Sequence, residues 1–173
     1  MAKQNKKLTA EFLKKREKQL SQREKHTIEI DGETYDVEVD KFFVKSKIAE
    51  LSSDIGLFAT LITQDEKYKD LDDAKVSALA QRYIYGMLIK YFTNIEVSNE
   101  VVDVLIMVKT IEDLGILGEL LQIMNQDELA NVLEEVNTRL EFAIETFRAK
   151  LEELNIDIEK TEEEAKAETE NAE

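Results

Sequence analysis

Cysteine and proline are both missing from the 173 residues, and glycine occurs only five times, at 32, 56, 86, 115 and 118. Without cysteine there is neither a disulfide framework nor a thiolate metal site. Without proline, and with so few glycines, the chain lacks the turn residues that sandwiches and barrels need in number. Long apolar runs are missing too. The longest is 104–108, far short of the roughly 20 residues that span a bilayer. No apolar segment follows the first lysines, so no export signal is expected, and the cytoplasm is the expected compartment. Glu, Lys, Leu and Ala dominate instead, and all four lose little side-chain freedom in a helix.

The formal charge of −15 is unevenly spread. Residues 1–26 carry nine Lys/Arg against three Glu, while 150–173 carry three Lys against ten acids. The body between them is strongly acidic, which repels phosphate and argues against groove binding to nucleic acid. The expected organisation is a basic flexible arm over 1–25, a single helical domain over 26–160 and an acidic disordered tail over 161–173.

One sheet signal stands out. The segment 27–39, TIEIDGETYDVEV, places Asp31-Gly32 where a type I′ turn needs positive φ angles. A two-residue loop pairs Ile30 with Glu33 and Ile28 with Tyr35, and it puts Ile28, Ile30, Tyr35, Val37 and Val39 on one face. An isolated hairpin is marginal in water, so that face must lie on helices. Helices are expected at about 41–62, 71–93 and 99–113, in a short segment 119–124, and from Asn125 onward. Val44, Ile48, Leu51, Ile55, Phe58 and Ile62 recur at helical spacing, and Leu57 and Leu61 widen that stripe. Leu79, Tyr83, Ile84, Met87, Leu88, Tyr91 and Phe92 share one side of the second helix. Val101, Val102, 104–108 and Ile111 make the third apolar nearly all round, so it is expected at the centre. Leu129, Leu133, Val136, Leu140, Ala143 and Phe147 line the last, and Leu151, Leu154 and Ile158 prolong it. Thr9, Ser98 and Asn125 are candidate caps, as are Asp70 and the box Thr63 to Glu66. The fold class expected is a mainly α bundle of about four to five helices with one N-terminal β-hairpin packed on it.

Catalytic signatures fail one by one. Gly115-Ile-Leu-Gly118 lacks the lysine and spacing of a phosphate loop. The single histidine, His26, has no cysteine to activate and no second imidazole to share a metal, and it reads as an exposed residue at a strand start. Asn155, Asp157 and Glu159 alternate like calcium ligands, but Lys160 and Lys166 stand where glycine and glutamate belong. Asp70, Asp72 and Asp73 suit a helix start, where acids favour the dipole. No catalytic, cofactor or metal residue is assigned, and no enzyme activity is expected. The arm's Lys6, Lys7, Lys14, Lys15, Arg16, Lys18, Arg23 and Lys25 carry one interleaved aromatic, Phe12, and so offer no stacking platform for bases.

The IDGETYDVEV-type hairpin followed by the helix at 41–62 resembles the tail assembly chaperones of long-tailed bacteriophages of Gram-positive hosts. That resemblance implies a non-catalytic protein, made in the host cytoplasm, that coats the aggregation-prone tape measure protein and helps tail-tube subunits gather around it. It also implies a longer form in many members, made by ribosomal frameshifting. The expected partner is therefore a long helical protein, with Leu151, Leu154 and Ile158 as the expected contact residues. An acidic mimic of DNA that blocks a DNA-binding protein, and a structural subunit of a larger assembly, are the alternatives.

Overall fold

The computed structural model describes residues 7–68, 71–139 and 142. In order, the elements are α1 (Ala10–Leu20), β1 (Arg23–Ile30), β2 (Glu33–Asp40), α2 (Lys45–Gln64), a 3-10 turn (Glu66–Tyr68), α3 (Asp73–Phe92), α4 (Val101–Asp113), α5 (Leu117–Gln122) and α6, helical over 126–139. The protein is mainly α with an N-terminal antiparallel hairpin, as composition and the segment 27–39 predict.

The hairpin has the expected register, Ile30 opposite Glu33 and Ile28 opposite Tyr35. Asp31 and Gly32 take φ of 53° and 81°, as a type I′ turn requires. The ladder runs further than the apolar alternation did, however. β1 begins at Arg23, inside what reads as the arm, because charged side chains tie its end. Arg23 Nε donates to Asp40 Oδ1 at 2.9 Å and Lys41 Nζ lies 2.9 Å from Glu24 Oε1. That ion pair and hydrogen bond also hold the Glu24 carboxyl below its usual range. Ile28, Val37 and Val39 are buried, but Tyr35 overhangs the body at the hairpin tip, its hydroxyl donating to Glu33 at 2.8 Å. The base of the hairpin is stitched to the end of α3 by a Val39–Thr93 bridge and by two hydrogen bonds between Glu38 and Asn94.

The expected central helix is not the central one. α3 packs against both α2 and α4, and it buries Ala80, Tyr83, Ile84, Met87, Leu88, Ile89 and Phe92. α4 buries only Val104, Val108 and Ile111. A helix with one packed flank can bury one stripe, whatever its composition. Two stacked ring pairs join neighbours to α3: Phe43 on Phe92 and Phe58 on Tyr83, with centroids 3.7 and 4.2 Å apart. α3 meets α4 through Gly86, where a Cβ would stand 2.3 Å from Val104 Cγ1. Glycine there is a close-approach residue, which outweighs its poor helix propensity.

Helix ends explain the remaining boundaries. Thr9 caps α1, its hydroxyl accepting from Phe12 N–H at 3.2 Å. α2 runs on to Gln64, so the expected capping box straddles its C-terminal end, with Asp65 as the C-cap and Glu66 in the 3-10 turn. The cap of α3 is Asp72, which accepts from Lys75 N–H at 2.9 Å; that bond holds its carboxyl below the usual range. Asp70 lies outside the described residues. Ser98 sits just ahead of α4, accepting from Glu100 N–H and donating to Asp103, and the cap residue itself is Glu100. α4 closes in a Schellman motif: Gly115 has φ 74°, Ile116 N–H donates to Ile111 O at 3.2 Å and Gly115 N–H to Glu112 O at 2.9 Å. Asn125 caps α6 as expected, accepting from Glu128 N–H at 3.3 Å. Among the described residues no helix is long and apolar enough to cross a membrane.

Candidate partner-binding surface

Residues 55–64 of α2, IGLFATLITQ, contain no charge at all, in a chain that is 35% charged. A helix sets such a stretch on two sides. Leu51, Ile55, Phe58 and Ile62 face inward and are buried. Ser53, Gly56, Leu57, Leu61 and Gln64 face outward. The two leucines that the spacing assigns to a widened core stripe are therefore surface residues, Leu57 at 68% and Leu61 at 38% exposure. They lie about 100° round the helix from the buried line, beyond the width that α3 covers. Nothing lies within 4 Å of a Cβ placed on Gly56, so a partner backbone has room to come close there.

Polar contacts fix how α2 presents this face. Buried Asp40, at the end of β2, accepts from both Arg23 and Lys47. Lys47 Nζ also donates to the Tyr91 carbonyl at 2.8 Å, satisfying a free C=O in the last turn of α3. The one acid in the middle of α2, Asp54, turns toward α3 and accepts from Tyr91 Oη at 2.9 Å and Lys90 Nζ at 3.1 Å. Burial first, and then the bond to Asp54, push the Tyr91 phenol well above its usual pKa. Burial likewise pushes Tyr83 up to about 12. Lys47 and Asp54 are thus spent on docking the helix, and its outer side over 55–64 is left without charge.

A narrow cleft adjoins this face, lined by Ser52, Ile55, Gly56, Val136 and Arg139, with room for about one water molecule. It is too small for a cofactor. Ser52 Oγ is buried there with no hydrogen-bond partner in the protein. His26 is not an exposed residue at a strand start: it lies in mid-strand opposite Val37, half-buried, with Nε2 enclosed and without a partner. Extension of β1 into the arm puts it there. Among the described residues no group of three or more His, Cys, Asp or Glu could hold a metal ion. Asp72 serves as a cap. Leu151, Leu154 and Ile158, and the alternating Asn155, Asp157 and Glu159, lie outside the described residues. The arm's Lys7, Lys14, Lys15, Arg16 and Lys18 are exposed, and Arg16 covers the Phe12 ring at 5.3 Å.

The fold and this surface define a mainly helical, hairpin-bearing protein that displays an uncharged helix face. The chain belongs to the YomO family, whose model matches residues 10–173; the family is phage-associated. Comparison with curated proteins and with solved structures gives no match.

Proposed function

We propose that this chain is a non-catalytic assembly chaperone that keeps a long helical partner soluble, and that the partner is a tape measure protein during phage tail assembly. The outer face of α2 carries this reading. Leu57 and Leu61, with Gly56 beside them, offer an apolar strip that a partner helix can cover with its own apolar side. Membership of a phage-associated family supports the setting, and the acidic remainder of the surface supports solubility of the complex. A DNA mimic needs acids in rows on one face, and the uncharged strip of α2 gives that reading no support.

Co-expression with a tape measure fragment that precipitates alone tests the proposal. The fragment is expected in the soluble fraction, and the complex is expected to weaken only modestly as salt rises, because an apolar contact is little screened. A fragment that stays insoluble with the protein in excess overturns it. Binding that collapses with salt favours an electrostatic decoy instead.

A further inference from the structure

We propose that α1 of one chain docks on the outer face of α4 in a second copy, making a dimer by reciprocal exchange of basic helices. This rests on α1 and α4 alone and is independent of the role given to α2.

α1 is a formed, capped helix that buries nothing in its own chain: Phe12, Leu13 and Leu20 are all exposed. Eleven ordered residues without a packed face are unusual, since most helix stability comes from tertiary packing of an apolar side. No described residue of the same chain buries them. Only Ser21 and Gln22 separate α1 from β1, and both are tied down. Ser21 N–H donates to Glu17 O at 3.0 Å, and Gln22 O accepts from Lys41 N–H at 2.9 Å. The end of the helix is therefore fixed at the base of the hairpin.

Charge points to the receiving face. α1 carries Lys14, Lys15, Arg16 and Lys18 against Glu11 and Glu17. α4 exposes Val102 (50%) and Ile106 (59%) one turn apart, with Glu100, Asp103 and Asp113 around them. The stretch 55–64 of α2 has no acid to answer a basic helix, whereas α4 supplies acids on both sides of its apolar pair. Ala10, Leu13, Glu17 and Leu20 form one side of α1, and Val102, Ile106, Lys109 and Asp113 one side of α4. A twofold exchange makes this contact twice, which is the symmetry most soluble dimers use.

Light scattering on the full chain at low salt is expected to give twice the 19.9 kDa of one chain. Leu13→Ser/Leu20→Ser and, separately, Ile106→Ser should give monomers, with the melting temperature extrapolated to low concentration unchanged, because these residues are exposed within one chain. Lys14→Glu/Lys15→Glu/Lys18→Glu should also be monomeric, and adding Glu100→Lys/Asp103→Lys/Asp113→Lys to that variant should restore the dimer. A wild-type protein that stays monomeric at high concentration overturns the proposal, as does a dimer that survives these changes. Binding of monomeric wild type to phosphatidylserine vesicles would assign α1 to an anionic membrane surface instead and would equally overturn it.

Discussion

The two faces of α2 both carry large apolar side chains and give them opposite fates. On the inner side Leu51, Ile55, Phe58 and Ile62 are closed off, with Phe58 stacked on Tyr83. On the outer side Leu57 and Leu61 stay in water. Fully burying a leucine is worth about 1.5–3 kcal/mol, so the chain's own fold forgoes most of that gain at Leu57 and part of it at Leu61. The neighbouring charges Lys47, Asp54 and Lys90 are engaged in docking α2 to the hairpin and α3. The comparison separates two kinds of apolar residue: those that hold the domain together, and those whose burial waits on another molecule.

Substitution should break the symmetry sharply. Phe58→Ala removes a stacked core ring and is expected to cost about 3–5 kcal/mol in urea unfolding, near the whole stability of a small domain. Leu57→Ala, one residue away, should change it by less than about 0.5 kcal/mol. Equal losses at the two positions would mean that the outer face is packed after all.

A smaller effect is expected where the core is closed by a missing side chain. Gly86→Ala forces a methyl against Val104 and Val108. It should destabilise by about 1–3 kcal/mol in spite of the better helix propensity of alanine. Val104→Ala added to Gly86→Ala should be less costly than the two single losses summed, which a double-mutant cycle measures.

Alkali probes the inner face through its tyrosine. Tyr83 titrates at an ordinary 10.0 when unfolded and at about 12 when folded, because burial disfavours the phenolate. The folded state then holds the proton that the unfolded chain has lost. Stability is full below pH 10 and falls as pH rises toward 12, by up to about 1.4 kcal/mol per pH unit from this group. Tyr91 is shifted in the same direction and should add to the slope. Tyr83→Phe should flatten the curve of melting temperature against pH.

Local rules made much of this fold legible. Hairpin register followed from an Asp-Gly turn and a period of two, and both are short-range. Helix existence followed from spacing, and caps at Thr9 and Asn125 from residue type. What depended on neighbours was not legible. The all-apolar α4 read as central, yet α3 holds that place because it packs against both α2 and α4. Gly86 drew no reading beyond its place inside an expected helix, and it is a contact point. Leu57 and Leu61 fitted the core stripe by spacing alone. Only the lack of any charge over 55–64 could have hinted that the outside of α2 was kept apolar too. The extension expected to bind, Leu151, Leu154 and Ile158, lies outside the described residues, so the candidate surface rests on α2.

The smallest change in stability should accompany the largest change in binding, and one experiment reads both. Wild type and Leu57→Ser/Leu61→Ser are each co-expressed with the tape measure fragment, and the melting temperature of each purified protein is recorded. The account predicts nearly equal melting temperatures, with the fragment soluble beside wild type and precipitated beside the double variant. A double variant that melts like wild type and keeps the fragment just as soluble would contradict it.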